Sequence, residues 1–376
     1  MKDPASADYR LGVVGAGAMG QGIAQIALQS GLTVVLQDAR AGGAAAARNA
    51  VFQRLERLVE KGQIASGDFK AMERRVVVAA GLAGFVECDA VIEAVFEDLA
   101  VKSDIFSSLE NIVRPDCILA SNTSSLSIAA IARSCRERGR IAGMHFFNPV
   151  PRMRLVEVVR APDTREEVVN ALIALGKRLG RTPVVAKDGP GFIVNLGGRA
   201  YTTEAMRILY ETVATPAQID AIMRDCCHFP MGPCELTDLT GIDVNFPVTG
   251  IIHAGYDFDP RLRTSYPHRA LFEAGRFGRK TGAGFYRYDD AGRKVEPPNP
   301  NFPPAGRLQN RLCLPSLTNC LRLSLLRLDW KRARRTDETR SWPRHSGRTV
   351  QPLRRVPGWI FGGSSRSTCP ATAVSG

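Results

Sequence analysis

Residues 11–20 read LGVVGAGAMG, and this stretch decides the fold of the chain. The apolar residues 11–14 predict a short buried strand, and the GxGxxG motif that follows leads into a helix over 20–29. A second apolar strand over 32–36 ends close to Asp38. A strand, a glycine-rich turn, a helix and a second strand within this length form a βαβ unit, which indicates a parallel sheet.

Each glycine of the motif has a physical role in binding a dinucleotide. Gly15 permits the tight turn, Gly17 lets the backbone approach a pyrophosphate, and Gly20 lets helix and strand pack closely. The N-terminus of the helix offers free N–H groups to the phosphates. Asp38 would accept hydrogen bonds from the ribose hydroxyls of NAD and repel the 2′-phosphate of NADP, although Arg40 lies nearby. We predict NAD binding; a packing turn without a ligand is the alternative.

The rest of the chain separates into three regions. Further strands are predicted at 76–78, 90–95, 117–120, 141–146, 155–160 and 182–186, with helices at 44–62, 101–111, 126–135 and 164–179 between them. Beyond residue 191 the pattern changes to long helices, at 193–213 and 216–226, and a broken helical region at 234–254. The predicted architecture is a Rossmann-type doubly wound α/β domain over 1–187, a helical domain over 188–296 and a tail over 297–376.

The tail carries the basic charge of the protein. The formal net charge is +13, and residues 301–376 alone hold 13 Arg and one Lys against three acidic residues. That segment therefore accounts for +11, leaving +2 for the rest. A sudden enrichment in Arg, Pro, Ser and Cys is typical of a GC-rich gene translated out of frame, which is our interpretation of 297–376. The alternative is a disordered basic tail that binds acidic partners such as nucleic acid.

Composition excludes several classes of protein. The chain is 44% hydrophobic and 23% charged, as in globular proteins. No apolar run approaches the ~20 residues of a membrane span, and the N-terminal sequence MKDPAS lacks the apolar segment of a secretory signal. The nine cysteines form no paired CxxC motif, so neither a disulfide scaffold nor a zinc site is indicated. We expect a cytoplasmic protein with no metal and no membrane partner.

Candidate catalytic residues stand at the ends of predicted strands, where ligands bind in open α/β sheets. Residues 121–125 (SNTSS) could hydrogen-bond a substrate oxygen or cap the next helix. His145 closes one strand, and Glu157 lies twelve residues later on the next, so a hairpin-like return could pair them. A paired carboxylate suits a histidine that acts as general base; a core histidine and a surface acid are the alternative. Asn195 could hold a substrate carbonyl or cap a turn.

Several motifs taken together carry a family resemblance. They are residues 15–20, Asp38, 121–125 (SNTSS), 145–149 (HFFNP), Glu157, 189–195 (GPGFIVN) and 278–282 (GRKTG). In this order and spacing, over about residues 9–290, they resemble the L-3-hydroxyacyl-CoA dehydrogenase family, and its bacterial 3-hydroxybutyryl-CoA dehydrogenases in particular. The resemblance implies a homodimer that oxidises an L-3-hydroxyacyl-CoA to the 3-oxoacyl-CoA with NAD⁺, in fatty acid or aromatic-acid (phenylacetate) catabolism.

The same resemblance implies roles for individual residues. His145 would be the general base and Glu157 would orient it, while Ser124 and Asn195 would hydrogen-bond the reacting oxygen. Four further residues would contact the cofactor: Glu97, Lys102, Asn148 and Lys280.

Coenzyme A binding is implied for two basic residues on the helix after Asp38. Lys61 and Arg54 lie seven residues apart on one helix face, which suits the acidic ADP end of coenzyme A. A solvated helix face is the alternative, and it is our interpretation of Arg57. Two other functions stay open on the same fold: a sugar-acid dehydrogenase of the L-gulonate type, which should lack such a basic helix, and a catalytically idle NAD-binding structural protein.

The chain departs from the family pattern just after Asn195. Many members carry Arg there, whereas this chain has Leu196 followed by Gly197 and Gly198. Two glycines early in a helix cost about 1 kcal/mol each relative to alanine. We therefore expect close packing around them that offsets the cost.

Overall fold

A mixed eight-stranded sheet with helices on both faces precedes a group of helices. The structure is a computed structural model that describes residues 1–295 of the 376. The predictions made for the tail, 297–376, lie outside the described residues.

The sheet and its helices occupy the first part of the chain. Their bounds are β1 (Arg10–Val14), α1 (Ala18–Gln29), β2 (Thr33–Gln37), α2 (Gly43–Glu60), α3 (Ser66–Glu73), β3 (Val76–Val78), β4 (Ala90–Glu93), α4 (Leu99–Ile112), β5 (Ile118–Ser121), α5 (Ile128–Ile131), β6 (Ile141–Phe146), β7 (Leu155–Arg160), α6 (Glu166–Arg178) and β8 (Thr182–Lys187). The Rossmann-type fold class is confirmed, and all eight predicted strands are present.

The strand order is β3-β2-β1-β4-β5-β6-β7-β8. The first six strands run parallel, β7 runs antiparallel to β6, and β8 runs parallel to β7. The chain reverses its winding between β1 and β4, and the crevice at the carboxyl ends of such strands is where open α/β sheets bind ligands. The antiparallel step from β6 to β7 places His145 directly opposite Glu157.

Alternate residues of each strand point to opposite faces, so the sheet separates two hydrophobic cores. Val13 and Ile92 belong to the core under α1, α2 and α6. Their neighbours Val14 and Val91 belong to the core under α4 and α5. A sheet covered on both faces explains why the strand sequences are continuously apolar rather than alternating.

One predicted helix, 126–135, is shorter and begins later in the structure. It consists of α5 followed by a turn of 3₁₀-helix. Ser127 is its N-cap, and Asp188 accepts hydrogen bonds from the amides of Ile128 and Ala129. The helix therefore begins where these two side chains satisfy its first amides.

The second part of the chain is helical and ends in a small hairpin. It consists of α7 (Val194–Tyr210), α8 (Pro216–Asp225), α9 (Pro233–Thr240), α10 (Ile242–Gly255), α11 (Tyr266–Glu273), β9 (Arg287–Tyr288) and β10 (Lys294–Val295). The sequence predicted only helices in this part of the chain, so the hairpin of β9 and β10 is an addition. Asp238 holds the hairpin region, because its buried carboxylate accepts hydrogen bonds from the amides of Phe285 and Tyr286 and from the Tyr288 hydroxyl.

The expectation of close packing at the two glycines of α7 is wrong. A Cβ added at Gly197 or Gly198 would meet no atom within 4 Å. Alanine would therefore fit at either position, and the structure gives no packing reason for glycine there.

The strand β8 ends at Lys187 and α7 begins at Val194. The predicted domain boundary, between 187 and 188, falls at the start of this connection and stays a prediction. Among residues 1–295, no helix is both long enough and apolar enough to cross a bilayer.

Candidate active site

The glycine-rich turn forms an open cradle at the start of α1. Gly15 has φ +91°, and a Cβ there would lie 2.7 Å from the Ala94 carbonyl oxygen. A Cβ on Gly20 would lie 1.8 Å from the Gly15 carbonyl oxygen. Any side chain at either position would therefore clash with backbone atoms, and only glycine fits. A Cβ on Gly17 would meet nothing within 4 Å. This open space adjoins amides that no side chain caps, and the geometry fits the pyrophosphate of NAD.

Asp38 closes the cradle from the end of β2. Its carboxylate accepts hydrogen bonds from the Ala16 amide at 2.8 Å and from the amide and side chain of Arg40, both at 3.0 Å. Burial alone would raise the pKa of Asp38, but the Arg40 and Ala16 hydrogen bonds outweigh it and lower that pKa. The ionised carboxylate keeps acceptor capacity for a ribose hydroxyl.

His145 and Glu157 form a buried pair between the neighbouring strands β6 and β7. The imidazole Nδ1 lies 2.6 Å from Glu157 Oε2, and both side chains are almost fully enclosed. The rings of Phe147 and Phe192 lie 4.5 and 5.7 Å from the imidazole, centroid to centroid. A carboxylate on Nδ1 sets the tautomer of the imidazole and leaves Nε2 for a substrate.

The same carboxylate also holds the first turn of α7. Glu157 Oε1 accepts hydrogen bonds from the amides of Ile193 and Val194, at 3.0 and 2.9 Å. The first helical turn leaves such amides without partners inside the helix, so Glu157 acts as the cap of α7. Asn195 follows in that turn, and its side-chain amide donates to the Ser124 carbonyl oxygen at 3.3 Å. The structure thus brings Asn195 and Ser124 together, and one carboxylate links His145 to the helix of Asn195.

Glu97 shapes the loop that carries Ser124. Its Oε1 accepts hydrogen bonds from the amides of Ser124 and Ser125 and from the hydroxyls of Thr123 and Ser125. Burial alone would raise the pKa of Glu97, but the Thr123 hydrogen bond and the charge of Lys102 outweigh it and lower that pKa. The helix cap nearby is Ser127, so neither Ser124 nor Ser125 performs the capping role that the sequence left open.

Lys102 and Glu93 form a buried ion pair beneath this loop. Lys102 Nζ lies 2.6 Å from Glu93 Oε1 and 3.4 Å from Glu97 Oε2, and the lysine side chain is 1% exposed. The ammonium therefore faces these two carboxylates. Our sequence reasoning missed Glu93; the signal was an acid at the end of the apolar strand 90–93, nine residues before a lysine.

Four other predicted contact residues form no hydrogen bond or ion pair with His145 in the described structure, and their roles stay predictions. Asn148 is exposed just after β6. Lys280 pairs with Asp243 of α10, at 2.6 Å. The guanidinium of Arg54 donates to the side chains of two glutamines of α1, whereas Lys61 is exposed at the end of α2.

Comparison with known proteins covers almost all of the described residues. Residues 10–189 match the family model "3-hydroxyacyl-CoA dehydrogenase, NAD binding domain", and residues 191–288 match "3-hydroxyacyl-CoA dehydrogenase, C-terminal domain". A probable 3-hydroxybutyryl-CoA dehydrogenase of Deinococcus radiodurans is 39% identical over 74% of this chain and all of its own length. A 3-hydroxyadipyl-CoA dehydrogenase of Escherichia coli is 42% identical over 73% of this chain, a match that spans 58% of the relative.

Solved structures give the same result. The (S)-3-hydroxybutyryl-CoA dehydrogenase of Ralstonia eutropha superposes with a TM-score of 0.72 and 37% identity, over 75% of this chain and the whole of that structure. The Escherichia coli 3-hydroxybutyryl-CoA dehydrogenase also gives 0.72, with 41% identity, over 74% of this chain and 59% of that one.

The cradle can be tested by filling it. Because a Cβ on Gly17 meets no protein atom and its φ of −70° suits any residue, Gly17→Val should fold normally. The added side chain would occupy the pyrophosphate space, so NADH should bind at least about tenfold more weakly. Titration of NADH fluorescence measures the affinity, with Gly67→Val, at an exposed and open position in the first turn of α3, as the control. Undiminished affinity of Gly17→Val would contradict this use of the cradle.

Proposed function

This chain belongs to the 3-hydroxyacyl-CoA dehydrogenase family, and from that premise we propose that His145 is the general base of its reaction. The protein is an NAD-dependent oxidoreductase that converts an L-3-hydroxyacyl-CoA to the 3-oxoacyl-CoA. The observation that carries the assignment of His145 is its 2.6 Å contact with the buried carboxylate of Glu157. No other part of the described structure offers an imidazole held in this way.

The proton of the substrate 3-hydroxyl passes to His145 Nε2. Nδ1 donates its hydrogen to Glu157, so the lone pair that accepts the proton belongs to Nε2. The negative charge of Glu157 stabilises the imidazolium that forms. Held in the glycine-rich cradle, NAD⁺ would supply the acceptor for the hydride that leaves C3 of the substrate. Removal of the proton favours that departure, because electron density on the oxygen strengthens the forming carbonyl.

Ser124 and Asn195 hold the reacting oxygen in this proposal. Among the described residues, the Ser124 hydroxyl has no hydrogen-bond partner, so it is free to donate to the substrate. The Asn195 amide has a second N–H besides the one directed at the Ser124 carbonyl oxygen. Two neutral donors near one oxygen would stabilise the negative charge that develops on it in the transition state.

The test of the general base is His145→Gln, assayed by oxidation of NADH with acetoacetyl-CoA. Glutamine cannot take up the proton, so turnover should fall roughly 100-fold or more. NADH binding should persist, since the glycine cradle is untouched. His228→Gln, at an exposed position, serves as the control and should keep wild-type turnover. Wild-type turnover in His145→Gln would remove His145 from the mechanism.

We assign the coenzyme A contact first to Lys61. Its ammonium is exposed, whereas the guanidinium of Arg54 already donates to Gln21 and Gln25. An exposed lysine can pair with a phosphate of the ADP end without losing another partner. Arg54 would join this contact only by exchanging its glutamines for a phosphate.

Substitution of Lys61 separates this assignment from the sugar-acid alternative. Lys61→Ala should raise the KM for acetoacetyl-CoA about fivefold, the effect of one exposed ion pair, and leave kcat unchanged. Arg57→Ala, also exposed on α2, is the matched control. An unchanged KM in Lys61→Ala, together with turnover of a free sugar acid such as L-gulonate, would favour the alternative.

We further propose that the protein is a homodimer joined through α10. Val244, Pro247 and Ile251 lie on one exposed face of this helix, and the two aliphatic side chains are 52% and 46% exposed. A twofold dimer apposes the same face of both copies, so an uncharged apolar face is complementary to itself. Exposed apolar surface of this kind marks contact sites.

Light scattering on the purified protein tests the dimer. The wild type should have twice the mass of the 40.9 kDa chain. Val244→Glu combined with Ile251→Glu should give the monomer mass, because two carboxylates would be buried without partners. Val213→Glu, at an exposed valine of another segment, is the control. A monomeric wild type, or a dimer that survives the double substitution, would contradict the proposal.

We propose a reducing, cytoplasmic location. Six cysteines lie among the described residues, and all six are free thiols: Cys88, Cys117, Cys135, Cys226, Cys227 and Cys234. Free thiols are usual where glutathione and thioredoxin keep cysteine reduced.

A further inference from the structure

Arg199 is a buried cation in the helical part of the chain. Its side chain lies between α7 and α10, and the residue is 7% exposed. The guanidinium donates hydrogen bonds to the carbonyl oxygens of Asn195 and Asn245, to the Asn245 side chain and to the Thr249 hydroxyl. Every one of these acceptors is neutral.

The charge of Arg199 has no counter-ion within the described part of the chain. No Asp or Glu among residues 1–295 lies within ion-pair distance, and burial lowers the pKa of Arg199 to about 10. Lys102 shows the usual arrangement, since two carboxylates surround that buried ammonium. Burying a charge without an opposite charge is strongly unfavourable. The structure therefore presents a cation that lacks an anion.

A second buried polar atom near Arg199 also lacks a partner. His268 on α11 is 1% exposed, its Nδ1 contacts the Thr264 hydroxyl at 2.9 Å, and its Nε2 has no hydrogen bond. Burial and the positive charge of Arg199 lower the pKa of His268 to about 4, so this imidazole is neutral and adds no second charge. Of the five N–H groups of Arg199, four form the bonds named above and one is free.

The position of Arg199 relates it to the substrate. Its Cα lies four residues after Asn195 on α7, on the same helix face and about 6 Å further along the axis. Its Nε lies 3.3 Å from the Asn195 carbonyl oxygen, so the guanidinium stays close to that residue. Asn195 is the residue proposed to hold the oxygen on C3. Three carbon–carbon bonds of about 1.5 Å each and a hydrogen bond of about 2.9 Å span a comparable distance. An anionic group at the end of a short acyl chain can therefore reach the guanidinium.

We propose that Arg199 binds a terminal carboxylate on the acyl chain, so that the enzyme selects 3-hydroxyacyl-CoA substrates whose chains end in a carboxylate. This inference rests on the proposed function, because Asn195 anchors the other end of the chain. A carboxylate matches the planar guanidinium in shape and supplies the missing negative charge. Arg199 is a specificity-determining residue in this proposal.

The test compares two substrates of equal chain length, 3-hydroxyadipyl-CoA and 3-hydroxyhexanoyl-CoA. They differ only in the terminal group, which is a carboxylate in the first and a methyl in the second. For the wild type, kcat/KM should favour the carboxylate at least about tenfold, the effect of one charge-assisted hydrogen bond. This ratio requires no variant, so it stays informative even if substitutions at a buried site impair folding.

Substitution then assigns the selectivity to a residue. Arg199→Met keeps the volume of the side chain and removes the charge, so the ratio of the two kcat/KM values should fall to about one. Arg261→Met is the matched control, because Arg261 is exposed and paired with Asp259, and it should keep the wild-type ratio.

The outcomes separate the two proposals. If the wild type acts on acetoacetyl-CoA but oxidises neither of these two substrates, the carboxylate site is overturned while the proposed function stands. If it acts on none of the three, both proposals fail. If the wild type oxidises 3-hydroxyhexanoyl-CoA equally well or better, the carboxylate site is overturned while the proposed function stands. If Arg199→Met keeps the wild-type preference, the carboxylate is bound elsewhere and the role of Arg199 is overturned.

Discussion

The carboxylate of Glu157 is the interaction on which the catalytic arrangement depends. One oxygen lies against the imidazole of His145, and the other accepts the first amides of α7. A fully buried carboxylate is unfavourable unless it is hydrogen-bonded, and here both oxygens are. Because one buried carboxylate both binds the imidazole and caps α7, the imidazole and the helix that carries Asn195 are fixed relative to each other. Phe192, which precedes that helix and packs near His145, has φ +48°, a strained backbone geometry of the kind found at functional sites.

The antiparallel step from β6 to β7 is what makes this sharing possible. In an antiparallel pair, residues directly opposite each other have Cβ atoms about 5 Å apart. His145 and Glu157 are such a pair, and their side chains therefore meet without distortion of either strand. A parallel connection would have needed a crossover of a dozen or more residues, and only the residues between 146 and 155 join these strands.

A second carboxylate organises the other side of the site. Glu97 accepts from the loop that carries Ser124, and it is held in turn by Lys102, whose charge is shared with Glu93. Buried charges that are paired and hydrogen-bonded rigidify a structure, whereas unpaired ones are costly. Arg199 differs from Lys102 because all of its hydrogen-bond acceptors are neutral, so its charge is not balanced within the described residues.

The sequence by itself determined the order of the strands and helices, the glycine cradle and the family. Local chemistry specifies these features: a buried strand is a short apolar run, and Gly15 and Gly20 occupy positions that no other residue can fill. Sequence spacing also suggested that His145 could face Glu157, because strands that follow each other closely often form a hairpin. Only the tertiary structure decided which polar groups share a partner. Glu157 as the cap of α7 and the missing counter-ion of Arg199 depend on residues 37 to 50 positions apart, a separation at which no local pattern indicates contact. The acid at the end of β4 lies only nine residues before Lys102, but its burial beneath that ammonium follows from the packing of α4 on the sheet.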